Sequence, residues 1–188
     1  MAKQKLSKAD YVTLGYGQVE PNHLSAQKTG QIYAQLPAAA DIDMLENGQF
    51  VKYDYKEGVV NFAGAGEWML VYNEVKVYRD DETDADYAML PANQFARVYS
   101  PVEFVNLKFE SPALMKTGTT MVPRVFKTNV GDIFTTNCVK ASELSVGDVL
   151  TPGADGYLAV GEGDMKWQVV KVYTLADRQK AVKIMRIA

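Results

Sequence analysis

Two short phrases, sixteen residues apart, constrain the fold of this chain more than any other feature. Each places Gly-Asp directly before an apolar run: Val130-Gly131-Asp132-Ile133-Phe134-Thr135 and Val146-Gly147-Asp148-Val149-Leu150-Thr151. Gly and Asp favour tight turns, and the β-branched and aromatic residues that follow favour strands. The second phrase continues through Pro152-Gly153-Ala154-Asp155-Gly156 into another apolar run, Tyr157 to Val160. The C-terminal part is therefore predicted to be a small β meander or barrel.

The rest of the chain repeats this texture of short strands and Gly-rich turns. Strand-like runs are spaced along the sequence at 49–55, 59–62, 68–78, 103–110, 122–127, 169–173 and 182–187. No window sustains the 3.6-residue apolar period of a helix over three turns, although 88–97 is compatible with a short helix. Pro123 within 122–127 predicts an edge strand there. The sequence thus predicts an all-β fold, either a barrel or sandwich-like.

Three segments are predicted: an extended N-terminal arm over 1–40, a first β unit over 41–110 and a second over 111–188. The sequence leaves open whether the two β units share one core. The arm region is open to two interpretations, a frayed terminus or an arm that anchors on a neighbouring subunit. On the second interpretation its anchors are the larger side chains Tyr11, Tyr16, Tyr33 and Leu36.

An internal repeat is a further expectation. At an offset of 99 residues, five positions coincide: Leu45 with Leu144, Gly48 with Gly147, Gly64 with Gly163, Trp68 with Trp167 and Val71 with Val170. This pattern indicates two related β units, each with a tryptophan at the start of a core strand. Coincidence between two Gly-rich meanders is the alternative.

Composition narrows the classes of function. The chain has 188 residues, a net charge of −3 and a single cysteine, Cys138, so it forms no intrachain disulfide and has no global field favouring nucleic acid. No apolar run reaches the length of a membrane span. We expect a protein made in the cytoplasm, without membrane insertion or specific nucleic-acid binding.

Candidate chemistry is weak, and we predict no enzyme, no catalytic residue, no metal and no cofactor. Carboxylates alternate over 80–86, but the glycine and glutamate that a calcium loop needs are missing. His23 is the single histidine and lies in the predicted arm, away from Cys138 in sequence. The acidic 80–86 segment and the basic C-terminal strand suggest charge contacts between subunits instead, through Asp81, Asp84, Lys183 and Arg186.

Two phrases resemble those of tailed-bacteriophage virion proteins: Leu45-Glu46-Asn47-Gly48-Gln49-Phe50-Val51, and Gly147-Asp148-Val149-Leu150 followed by Asp155-Gly156-Tyr157-Leu158. Among these proteins, the chain is most similar to head decoration and minor capsid proteins. The resemblance implies a non-enzymatic protein of the virion head. It would be assembled in the bacterial host cytoplasm and would contact the major capsid protein and copies of itself. A carbohydrate- or ligand-binding β-module of a phage fibre or base is the alternative, and an enzyme with carboxylate chemistry is the third option.

Overall fold

The computed structural model describes residues 16–26, 32–33, 36–42, 44–72, 122–141, 143–176 and 178–188. Eleven strands within these ranges form two antiparallel sheets, which confirms the predicted all-β class. The strands are β1 (Val19–His23), β2 (Ile32–Tyr33), β3 (Phe50–Asp54), β4 (Val59–Asn61), β5 (Trp68–Val71), β6 (Val125–Phe126), β7 (Ile133–Thr136), β8 (Val149–Pro152), β9 (Leu158–Val160), β10 (Trp167–Thr174) and β11 (Lys180–Arg186).

The sheets do not follow the order of the chain. One sheet has six strands in the order β1-β7-β11-β10-β8-β9, and the other has five in the order β2-β6-β5-β3-β4. Strand β6 therefore lies between β2 and β5, and the predicted edge position of 122–127 is wrong. Pro123 precedes the strand, so its missing N–H leaves the ladder intact.

Strands from all three predicted segments are combined in these sheets. Strand β1 joins the six-stranded sheet beside β7, while β2 and β6 pair with each other in the five-stranded sheet. The predicted boundary at 110, the strand over 103–110 and the short helix over 88–97 lie outside the described residues. Residues 1–15 do too, so an arm that reaches a neighbouring subunit stays a prediction.

The two sheets pack face to face around one aromatic centre. Trp167 of the six-stranded sheet lies 5.0 Å from Phe134 and 5.7 Å from Phe50 of the opposite sheet, between ring centroids. All three side chains are fully buried, together with Leu70, Phe126, Leu150, Leu158 and Ile184. Burial of this apolar surface from both sheets is the main stabilising contribution of a β sandwich.

A second core lies on the other face of the five-stranded sheet. Val51, Met69 and Val71 point away from the aromatic centre, because side chains alternate between faces along a strand. Ala38, Ile42 and Leu45 cover them. Residues Phe50 to Val51 and Met69 to Val71 are therefore buried on both faces, which explains why β5 is a continuous apolar run in the sequence.

The predicted Gly-Asp turns are confirmed, and a third turn has the same geometry. In each, the N–H of the residue after glycine donates to the carbonyl three residues back: Asp132 to Asn129 at 3.0 Å, Asp148 to Ser145 at 3.2 Å and Gln49 to Glu46 at 3.2 Å. The side chain of that same residue accepts a return bond from the N–H at the start of the turn, at 2.8, 2.8 and 2.6 Å. Gly131, Gly147 and Gly48 have φ of 92°, 101° and 94°, where side chains other than glycine are strained.

The predicted repeat holds for the turn and the strand after it, but the two tryptophans are not equivalent. Trp68 pairs with Lys52, whereas Trp167 pairs with Leu150. With the 99-residue offset, Lys52 corresponds to Thr151, so an exact repeat would pair Trp167 with Thr151. Trp167 pairs with Leu150 instead, which is a shift of one residue. Trp167 is fully buried and Trp68 is half-buried.

Candidate functional site

The segment before β1 is attached to the six-stranded sheet by one side chain. Asn137 Oδ1 accepts the Gln18 N–H at 2.7 Å, and Asn137 Nδ2 donates to the Tyr16 carbonyl at 2.7 Å and to Gln179 Oε1 at 2.7 Å. The amide thus satisfies both backbone groups of an approaching strand, as a neighbouring backbone would. This bond pattern places residues 16–18 on the sandwich of their own chain.

A buried carboxylate holds the other end of β1. Asp132 is 2% exposed, and its Oδ1 accepts the N–H and the hydroxyl of Ser25 at 2.9 and 2.6 Å. Its Oδ2 closes the turn through the Asn129 N–H. A buried carboxylate is tolerated where several donors surround it. Asp132 therefore both shapes the turn and fixes the N-terminal segment.

A second buried carboxylate, Glu46, connects three parts of the chain. It is 1% exposed; Oε2 accepts the Tyr157 hydroxyl at 2.6 Å, and Oε1 accepts the Gly17 N–H at 3.3 Å. Burial, and secondly the Glu46 carboxylate beside it, raise the pKa of the Tyr157 phenol far above its usual value near 10. The arrangement joins residue 17, the 46–49 turn and the β8–β9 hairpin, so its role is structural.

Replacing Tyr157 with phenylalanine is expected to reduce the alkaline sensitivity of folding. Because the folded pKa lies above the unfolded value, stability from this group is complete below about pH 10 and is lost as pH rises further, by up to about 1.4 kcal/mol per pH unit. Tyr157→Phe should remove that slope, and should also cost about 1–3 kcal/mol at neutral pH because Glu46 loses a donor.

Urea unfolding between neutral pH and pH 11 measures this effect. Tyr55→Phe is the matched control, because Tyr55 is 71% exposed and its replacement should leave the pH dependence unchanged. An identical alkaline slope in Tyr157→Phe and the unmodified protein would show that this phenol is not coupled to folding.

The predicted arm anchors are distributed over different places. Tyr16 is half-buried and its carbonyl accepts the hydrogen bond from Asn137, while Leu36 packs against the second core. Tyr33 lies in β2, where the backbone is described, and Tyr11 lies outside the described residues. The two side chains that the structure describes thus pack on their own chain, and anchoring on another subunit stays a prediction.

The predicted charge contacts are likewise only partly described. Arg186 Nη1 forms an ion pair with Glu67 Oε1 at 3.1 Å and also donates to the Thr128 carbonyl, so its guanidinium connects the two sheets of one molecule. Lys183 lies on the outer face of β11, opposite Thr135. Asp81 and Asp84 lie outside the described residues, and a contact between subunits stays a prediction.

His23 and Cys138 lie at opposite ends of β7. His23 pairs with Ile133 at one end of β7, while buried Cys138 lies beyond Thr136 at the other end; the strand between Ile133 and Thr136 spans about 10 Å at 3.3 Å per residue. Within the described ranges, no three His, Cys, Asp or Glu side chains are placed to bind a metal ion. The sequence gives no signal for the polar groups that do matter here, Asn137 and Glu46, because their partners are distant in sequence.

One shallow depression lies at the end of the sandwich beyond β7. Its volume is about 70 Å³, far below the roughly 300–1,000 Å³ of small-molecule sites. Its lining is mainly apolar, and Lys180 is the one ionisable group among the lining residues. These residues are Thr136, Asn137, Val139, Ala141, Leu144, Val172, Lys180, Ala181 and Val182. This volume is enough to hold a single side chain.

The phrase that resembles virion proteins forms the β8–β9 hairpin and has structural roles throughout. Asp148 closes the turn, Tyr157 bonds to Glu46 and Leu158 lies in the shared core. Gly156 has φ of 75°, and its carbonyl accepts the Phe50 N–H at 2.7 Å across the two sheets. These residues of the motif therefore all contribute to the sandwich.

Large apolar side chains are exposed on several turns and strand ends. Tyr55 is 71% exposed, Val130 and Val146 are each 67% exposed, and Val160 is 61% exposed. Val130 and Val146 occupy equivalent positions, each directly before the glycine of its turn. Their side chains are exposed to solvent at these turns and strand ends.

Comparison with known proteins gives no match: no protein family, curated protein or solved structure is similar to this chain at a significant level. Among the described residues, no helix has the length and apolarity to cross a membrane.

Proposed function

We propose that this chain is a non-enzymatic structural protein of tailed-phage heads, which binds the shell as a decoration or minor capsid protein. The observation that supports it best is that apolar side chains are exposed on the surface while the described depression is small. The described residues present exposed apolar side chains at turns, such as Tyr55 and Val130, whereas the depression described above is only about 70 Å³. Such a surface suits contacts with other proteins better than capture of a small ligand.

In this role the sandwich supplies a rigid body, and many copies act together. Each contact with the major capsid protein buries a small apolar area and is weak alone. Linked copies on one shell convert later contacts into effectively intramolecular ones, which raises the overall avidity. Rupture of the head then requires these contacts to break as well. The setting of this function is the virion head, assembled in the bacterial cytoplasm.

Co-sedimentation of the purified protein with assembled heads of a tailed phage that carries this coding sequence tests the proposal. We expect saturable binding at a fixed ratio of copies to capsid subunits, and heads that resist heat better when saturated. Tyr55→Ser and Val130→Ser should weaken binding without unfolding, because both side chains are exposed. Absence of binding by a folded protein would overturn the proposal.

The glycan-binding alternative is favoured by one observation. Tyr55 is 71% exposed, and its ring is held edge-on against Tyr53, with centroids 5.3 Å apart, so one aromatic face is available for stacking on a sugar. Saturable binding on a glycan array that is lost in Tyr55→Ser, with no binding to heads, would establish this alternative.

A further inference from the structure

One half of β10 has an open hydrogen-bonding edge. Strand β8 pairs with β10 at Trp167 and Gln168, and the turn before β8 satisfies Val169 through Gly147 and Asp148. Beyond Val169, no strand in the part of the chain that the structure describes lies on this side of β10. After a bulge at Val170, residues 171–174 pair with β11 and with no other described strand.

The register shows which backbone groups are free. The backbone of Arg186 in β11 bonds to residues 131 and 132, which lie directly before β7. Backbone groups alternate between the two neighbouring strands, so Ala181, Lys183 and Met185 of β11 bond to β10 on the other side. Ala181 is opposite Tyr173, which places the N–H and carbonyl of Val172 and Thr174 on the open side. An edge of this kind is a template for pairing with another strand.

Three other edges in the described ranges, those of β4, β9 and β1, are covered or interrupted at one position. The outer side of β4 is covered, because the Val60 N–H donates to the Pro37 carbonyl at 2.7 Å and the Val60 carbonyl accepts the Ala39 N–H at 2.9 Å. The Lys140 N–H covers β9 at Leu158, and β1 contains Pro21, which has no N–H. The open half of β10 lacks such protection.

Its side chains are also suited to contact. Val172 is 41% exposed and lines the apolar depression together with Leu144, while Val146, 67% exposed, flanks the same edge. On the opposite face, Lys171 Nζ lies 5.4 Å from the centre of the Tyr173 ring. A strand added here would bury apolar side chains on one face and meet a cation and an aromatic ring on the other.

From these observations we infer that the open half of β10 pairs antiparallel with the same segment of a second copy of this chain, around a two-fold axis at Val172. In that register, Val172 faces its own equivalent through two backbone hydrogen bonds. Lys171 faces Tyr173 of the second copy rather than another lysine, so like charges are not opposed and each ammonium meets a ring. The segment is thus complementary to itself, as a two-fold interface requires.

Sedimentation velocity of the free protein, without heads, tests this interface. The contact is small, so we expect a monomer–dimer equilibrium across the micromolar to millimolar range. Val172→Pro removes the N–H on the open side and leaves the bonds to β11, so the dissociation constant should rise at least about tenfold. Val172→Thr keeps the N–H and a similar shape, and should retain the dimer.

A cysteine pair gives a readout that does not depend on proline tolerance. Val172→Cys should form a disulfide-linked dimer under mild oxidation, because equivalent residues across the axis lie within disulfide reach. Val160→Cys, at a strand end that is 61% exposed, should not, and the native Cys138 is buried. A strict monomer at all concentrations, or a dimer unaffected by Val172→Pro and not linked by Val172→Cys, would overturn the inference.

The interface is separable from the proposed role on phage heads. Self-association is measured without a shell, so a dimer that binds no head would retain the interface and remove the head-binding function. A monomer that binds heads would do the reverse. A monomer that binds an extended peptide of another protein at this edge would replace the second copy with a different partner.

Discussion

Replacing Gly156 with alanine is expected to destabilise the protein by about 4 kcal/mol or more, through strain and overlap together. Gly156 has φ of 75°, and an added Cβ would overlap the Phe50 carbonyl oxygen and approach Phe62. The Phe50 N–H donates to the Gly156 carbonyl at 2.7 Å, so relieving the overlap would break a bond between the sheets. Equilibrium urea unfolding gives the change in the free energy of unfolding.

Gly58→Ala is the matched control for this substitution. Gly58 has φ of 69°, nearly the same backbone conformation, but no atom lies within 4 Å of an added Cβ. Its replacement should cost only about 1 kcal/mol, the strain of the left-handed conformation. The difference between the two variants measures the cost of the contacts with Phe50 and Phe62. Equal losses would mean that the hairpin can move away from β3 without cost.

The turns could be predicted from sequence because their determinants are local. Gly131 and Asp132, or Gly147 and Asp148, lie within the turn that they stabilise, and the same residues supply the positive φ and the closing side chain. The third turn uses Gln49 in place of aspartate, yet the longer amide makes the same return bond to Glu46. Local chemistry thus decides where β3, β7 and β8 begin.

Sheet order could not be predicted, because it depends on contacts far apart in sequence. Strand β1 pairs with β7, more than a hundred residues later, and β6 inserts beside β5 although 53 residues (72–124) separate them. Alternating apolar residues predict a strand but leave its neighbour unspecified. This is why Pro123 suggested an edge strand where the structure has an internal one.

The candidate interface was missed for a related reason. The open edge exists because β8 ends its pairing at Trp167 and Gln168, while β10 continues to Thr174. Strand length is visible in the sequence, but a mismatch between two neighbours appears only once their register is known. The sequence predicts contacts between subunits at Lys183 and Arg186; Arg186 forms an ion pair with Glu67 within the molecule, and the contact with another subunit stays a prediction.

The two tryptophans should differ strongly in their contribution to stability, although the sequence repeat treats them as equivalent. Trp167 is fully buried between Phe134 and Phe50, so Trp167→Ala is expected to cost about 3–5 kcal/mol. Trp68 lies at the margin of the same core, with Lys52 Nζ 4.6 Å from its ring, and Trp68→Ala should cost about 1–2 kcal/mol.

Single-tryptophan variants provide an independent check on this difference. Trp68→Phe leaves Trp167 as the sole tryptophan. Its fluorescence should be blue-shifted and protected from iodide, because the indole is buried and its Nε1 has no hydrogen-bond partner among the described residues. Trp167→Phe leaves the half-buried Trp68, which iodide should quench.

Similar unfolding costs for the two alanine variants, with similar quenching, would mean that the one-residue shift in pairing does not separate the two positions. A large difference would show that register, rather than the shared sequence pattern, determines which tryptophan supports the core.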